Sequence, residues 1–437
     1  MLYGQGVQLV IQLAALPVMV AAWGLTGFGQ WLLVFTLPGL LTMSDVGLVA
    51  ALGNAMTTAV AREELELAQR LYASLRALLG GLSLVLTFLT VLAVALWPGW
   101  FDQLALPGGS GGAVVIALVT YAMLGVLNAA IMAGHRATDG FASSNVVLQS
   151  VVLLEALAAL LTVWQGGGAL AASLVYLTVR ACGSLLLALL LQIRAPWLVR
   201  WSLAIDWCEV RPLLVPALST LPLPAAYAVT LQGAVLAVAA TAGVAAIPAF
   251  SATRALTRIA LQMSFAINVA SMPRFTIAAA NGDSRKRDQL VLVNLLVSAA
   301  LLIPAAITLL LLGPTIIRLW TGGRVDVDPA LLAALVLAML LNGAWVPVSN
   351  LILAVNRHAG YTWFFLGAAF AGTAGGYVAA HRFGAFGAAL GVVAIEIAMV
   401  IWVWRLSLAL DLVHPSRLFT EFAKQLRVLR AMSHWSK

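Results

Sequence analysis

The chain has 437 residues, of which 62% are hydrophobic and only 9% charged, with a mean hydropathy of +1.01. Soluble domains average about 45–50% apolar and about 25% charged residues, so a water-soluble enzyme is excluded and a polytopic membrane protein is indicated. The net charge of +8 would suggest nucleic acid in a soluble protein; here it is first of all a topology signal, and no nucleic-acid partner is expected.

Taken in chain order, twelve apolar runs predict membrane helices near 3–22, 29–58, 73–97, 113–134, 143–164, 169–192, 211–238, 244–272, 290–312, 330–354, 362–380 and 386–406. A membrane helix needs about 20 apolar residues, and β-barrel strands would alternate in polarity, so the fold is all-α. The chain starts almost at once with an apolar run and has no basic leader, so no cleavable signal peptide is expected. Between the runs lie polar or Gly- and Pro-rich breaks, among them Arg62-Glu63-Glu64, the Pro107–Gly112 loop, His135-Arg136, Gly166-Gly167-Gly168, Asn281-Gly282-Asp283 and Asn356-Arg357-His358.

With the N-terminus inside, 18 of the 24 basic residues fall in inside loops, at the inner ends of spans or in the tail, three (Arg318, Arg324, Arg382) fall outside, and three (Arg180, Arg254, Arg258) lie deeper within spans. The positive-inside rule then places both termini in the cytoplasm. The break at 193–210, with three Trp and several charges, divides the spans six to six. This predicts an N-terminal bundle at 1–192, a cytoplasmic linker at 193–210, a C-terminal bundle at 211–406 and a basic tail at 407–437. The halves echo one another at an offset near 222, as in Asn128 and Asn350, which fits parallel repeats. In the tail, Leu418, Phe422, Leu426 and Leu429 fit either a helix on the inner leaflet or a solvated basic segment.

Ionisable residues inside spans are costly and are functional candidates. Ser251, Arg254, Arg258 and Gln262 recur every three or four residues and form one stripe on span eight, with Arg258 near mid-membrane. Ser173, Tyr176, Arg180 and Ser184 share a face of span six. The carboxylates inside spans are Asp45, Glu155 and Glu396. Either they release the arginines to a substrate, coupling an ion in the process, or they are static ion pairs. Gln5, Gln8 and Gln12 on span one read as interhelical hydrogen bonding. Three membrane arginines suit an anionic headgroup, a phosphate or pyrophosphate whose oxygens match guanidinium forks. Pro17, Pro38 and the prolines of span seven (Pro212, Pro216, Pro222, Pro224) predict bent or two-part helices. The five His sit in predicted loops or the tail, no metal-ligand spacing occurs, and the Gly108–Gly112 run lacks the Lys-Ser/Thr ending of a phosphate loop. No cofactor, metal or catalytic residue is expected.

The stretch Gly27-Phe28-Gly29-Gln30-Trp31-Leu32-Leu33, followed by Asp45-Val46-Gly47-Leu48 and Asn54, and the segment Gly384-Ala385-Phe386-Gly387-Ala388-Ala389, resemble polysaccharide flippases of the Wzx type. These share a superfamily with the multidrug-and-toxin (MATE) extruders and the lipid II flippases. The resemblance implies a MATE-like fold of two six-helix lobes around a central cavity. It implies transfer of undecaprenyl-pyrophosphate-linked oligosaccharide across the bacterial inner membrane by alternating access, alongside polysaccharide polymerase machinery. Cationic cavity residues are typical of such flippases, and Arg180, Arg254 and Arg258 fit that role. The family's short basic segment before span one is missing here. The other readings are a multidrug or cation exporter and a membrane-embedded glycan polymerase or ligase; the outside loops are short for the latter.

Overall fold

The computed structural model describes residues 2–41, 46–199, 204–355, 357, 359–413 and 417. Asp45 and the tail from 418 onward, including its hydrophobic repeat, lie outside the described residues. The described chain forms helices α1 (Leu2–Leu41), α2 (Val46–Ala61), α3 (Leu65–Leu96), α4 (Pro98–Asp102), α5 (Gly111–Ala137), α6 (Phe141–Trp164) and α7 (Ala169–Arg194). They are followed by α8 (Trp207–Thr220), α9 (Pro222–Ala242), α10 (Ile247–Ala280), α11 (Ser284–Trp320), α12 (Pro329–Ala354) and α13 (Ala359–Ala409). No strand occurs among the described residues.

Among the described residues, ten helical segments are long and apolar enough to cross a membrane. Two of them are broken internally. Gly24 interrupts α1 at φ 69° and Gly384 interrupts α13 at φ 55°, in a left-handed region that side chains disfavour. Each therefore reads as two crossings, which recovers the expected count of about twelve. The prolines of span seven act as their chemistry requires. The segment separates at Leu221, and Pro222 opens α9 at a position where its missing N–H costs nothing. One expectation is corrected: His135 and Arg136 do not form a loop, because α5 continues through Ala137. His135 is buried, and its Nε2 donates to the Leu187 carbonyl oxygen at 3.0 Å, so a neighbouring helix satisfies one of its ring nitrogens.

The chain divides into two compact units, one comprising Met1–Ala249 with Arg318–Val325 and the other Phe250–Ile317 with Asp326–Lys437. In the first, α5 packs against α3 and α7, α6 packs against α7 and α1, and α2 packs against α3 and α8. Helix α5 starts on a Ser110 cap whose Oγ accepts from the Ala113 N–H at 3.2 Å. In the second, Leu302, Ala306 and Leu309 of α11 meet Leu332, Val336 and Met339 of α12, with Leu256, Ala260 and Leu261 of α10 against them. Buried polar contacts join the same three helices. Ser264 Oγ and Ser298 Oγ are 2.8 Å apart, Asn268 Nδ2 donates to the Ser264 carbonyl at 2.9 Å, and Asn350 Nδ2 reaches Asn268 Oδ1 at 3.4 Å.

The arms of α13 fold back on each other through Gly372 and Gly376 on one side and Gly387 and Gly391 on the other. A Cβ at Gly391 would press into the Gly372 carbonyl, and one at Gly372 would press into Ile395. Small residues every fourth position allow such close backbone approach between membrane helices. Gly391→Ala is expected to cost about 1–3 kcal/mol through forced separation of the arms. Gly375→Ala on the same arm, where nothing lies within 4 Å, is expected to cost far less. Thermal unfolding of the two variants checks this; equal losses would contradict it.

Candidate functional site

In the first unit the candidates of spans five and six come together. Arg180 Nε donates to Glu155 Oε2 at 2.8 Å, and its Nη2 donates both to Glu155 Oε1 and to the Tyr121 hydroxyl, the latter at 2.7 Å. The Tyr121 hydroxyl in turn donates to Glu155 Oε1 at 2.7 Å. The guanidinium carbon lies 4.6 Å from the centre of the Tyr121 ring. The pair is sequestered, with side-chain exposures of 12% for Arg180 and 2% for Glu155. Charges removed from water this far are tolerated only when paired and fully hydrogen-bonded, and this closed triad meets that condition.

Tyr176 does not reach the charges directly by hydrogen bonding. It is buried in an aromatic cluster, with ring centres 5.5 Å from Tyr121, 5.4 Å from Phe35 and 6.3 Å from Trp31. The cluster explains the sequence Trp31-Leu32-Leu33-Val34-Phe35 locally. Residues four apart on a helix share a face, and Trp31 and Phe35 stack at 5.3 Å. Together these rings form a dry wall beside the triad.

In the second unit, the predicted stripe of α10 is present. Arg254 and Arg258 are both half-buried and lie one turn apart. The Arg254 guanidinium carbon is 5.4 Å from the centre of the Phe250 ring. Gln262 is half-buried on the next turn, and Ser251 Oγ is buried with no partner. Arg258 has no ion-pair or hydrogen-bond partner among the described residues. A guanidinium carries five N–H donors in a planar fork, a geometry that matches carboxylate and phosphate oxygens.

Glu396 is held differently from Glu155. Asn342 Nδ2 donates to both of its carboxylate oxygens at 3.2 Å, and Trp345 Nε1 donates to Oε2 at 2.7 Å. The carboxylate is 8% exposed, and its partners are neutral N–H donors rather than a cation. Among the described residues the carboxylate makes no ion pair.

Of the predicted site residues, the structure therefore joins Arg180 and Glu155 with Tyr176 alongside, and places Arg254, Arg258 and Gln262 on one helix. It gives Glu396 its own cage. Three participants were missed from sequence: Tyr121, Asn342 and Trp345. Tyr121 and Asn342 are polar groups inside apolar spans, a signal that was available. Trp345 is fully buried rather than interfacial, and nothing in the sequence distinguishes it from the other Trp.

No family model matches the chain, and no characterised protein matches it by sequence. Solved structures do match the fold. The inward-facing conformation of a multidrug resistance MATE family transporter of the MOP superfamily aligns with a TM-score of 0.72 at 14% identity, over 92% of this chain and 95% of that one. The outward-facing conformation of such a transporter gives 0.64 at 15% identity, over 94% of each chain. A lipid II flippase, MurJ, in an inward closed conformation gives 0.62 at 12% identity, over 100% of this chain and 92% of that one. The protein is thus a multi-pass helical membrane protein, and its fold is the one found in MATE transporters and the lipid II flippase.

Proposed function

We propose that this protein moves undecaprenyl-pyrophosphate-linked oligosaccharide across the bacterial inner membrane by alternating access, for assembly of a surface polysaccharide. Arg258 carries the reading: a half-buried guanidinium without a partner among the described residues, in the middle of an apolar helix and beside a second arginine one turn away. An uncompensated cation at such a depth is expensive, and a pyrophosphate supplies the charge and the paired oxygens that guanidinium groups match. The protein acts as a carrier rather than an enzyme, with the bilayer and polysaccharide polymerase machinery as partners. Both termini lie in the cytoplasm, with six-helix bundles at 1–192 and 211–406, a linker at 193–210 and a tail at 407–437.

In this scheme Arg254, Arg258 and Gln262 receive the pyrophosphate. Arg180 contributes when the substrate displaces Glu155, with Tyr176 walling the same region. Glu396, Glu155 and Asp45 couple transport to an ion, and Glu396 suits this best because its partners stay satisfied in either state.

The similarity to a MurJ flippase and to MATE transporters makes lipid-linked and drug-like substrates the two classes to separate. Depleting the protein in its host is expected to abolish the surface polysaccharide and to accumulate its lipid-linked precursor, with unchanged susceptibility to cationic drugs. Normal polysaccharide together with drug hypersensitivity would instead identify an exporter.

A further inference from the structure

We infer that Trp320 is a hydrogen-bond latch on the proline turn of α1. Pro17 has no N–H, so the carbonyl four residues earlier, that of Leu13, loses its normal helical donor. A freed carbonyl in a membrane helix is commonly satisfied by a neighbouring group. The Trp320 indole does this, donating from Nε1 to the Leu13 oxygen at 2.8 Å.

The indole is delivered by a built turn. Residues Arg318–Val325 belong to the same compact unit as α1, although the chain on either side of them does not. Thr321 and Val325 are each 1% exposed and seat the segment. The Gly323 N–H donates to the Arg318 carbonyl at 2.7 Å, and the Val325 N–H donates to Thr321 Oγ at 3.3 Å. The second unit has no counterpart among the described residues: Trp404 Nε1 donates at 3.1 Å to the Ala344 carbonyl, whereas the carbonyl that Pro347 deprives is that of Gly343. Indole N–H groups usually find an acceptor, and Trp320 is aimed at the backbone oxygen that Pro17 has freed. While the latch is made, the turn at Pro17 is fully hydrogen-bonded and the first arm of α1 is fixed. When the indole leaves, that turn holds an unsatisfied carbonyl and becomes the softest point of the helix. The latch thus gives the arm two states, separated by one bond.

The test is hydrogen–deuterium exchange of full-length protein in lipid nanodiscs, followed in peptides spanning residues 10–24. Trp320→Phe keeps the ring and removes the N–H, and is expected to speed exchange in this segment by about fivefold or more, the factor one such bond supplies. Pro17→Ala restores the helical donor to Leu13, and in that background Trp320→Phe is expected to change exchange by less than twofold. Unchanged exchange in Trp320→Phe would overturn the proposal. So would the same acceleration in both backgrounds, which would show that the ring packs there without latching. If Trp320→Phe alone misassembles, rescue by Pro17→Ala still supports the latch, and failure to rescue overturns it.

Discussion

Glu155→Leu is expected to destabilise the first unit by about 3–5 kcal/mol, because it leaves the Arg180 guanidinium buried without a counter-charge. The carboxylate accepts both of Arg180's inward-facing N–H groups and the Tyr121 hydroxyl, so the loss strands three donors together. The double variant Glu155→Leu with Arg180→Met is expected to recover most of the loss, since removing both charges also removes the desolvation that the pair offsets. Thermal unfolding of the purified protein separates the cases by a double-mutant comparison. A Glu155→Leu protein as stable as the parent, or a double variant no better than the single one, would mean that the triad does not hold these helices together.

Arg258 is expected to behave in the opposite way. It has no partner to strand among the described residues, so Arg258→Ala is expected to leave unfolding unchanged or to raise the midpoint slightly. Transport, however, is expected to fall about 10- to 100-fold, the loss of one charged hydrogen-bonding contact of about 1.5–3 kcal/mol. Arg258→Lys is expected to retain part of the rate, because it keeps the charge and gives up the planar fork. The combination distinguishes a ligand-binding arginine from a structural one, as only the latter loses stability. A large loss of stability in Arg258→Ala with a proportionate loss of transport would assign it to packing.

Much of the fold was legible because hydrocarbon imposes a simple rule: about 20 apolar residues with every backbone group satisfied internally. The breaks at Gly24 and Gly384 fall between runs that hydropathy had already separated. The two-part helix around Leu221 follows from its prolines alone. The site was less legible, because pairing depends on which faces meet. Arg180 and Arg258 look equivalent along the sequence, yet one is neutralised by Glu155 from another helix and the other has no partner among the described residues. Likewise, Glu155 and Glu396 are both lone carboxylates in apolar runs, but only one meets a cation. His135 was misread for a related reason. Polar residues at the end of a span look like a loop until a neighbouring carbonyl, here that of Leu187, is known to accept the hydrogen bond.

The most direct measurement is a leaflet-exchange assay with the purified protein in vesicles containing fluorescent undecaprenyl-pyrophosphate-linked oligosaccharide, read by a quencher that cannot cross the bilayer. The account predicts that wild-type protein makes the inner-leaflet lipid accessible on the time scale of the assay, and that Arg258→Ala vesicles stay close to protein-free ones. Wild-type vesicles no faster than empty ones, or an Arg258→Ala protein as fast as wild type, would contradict it.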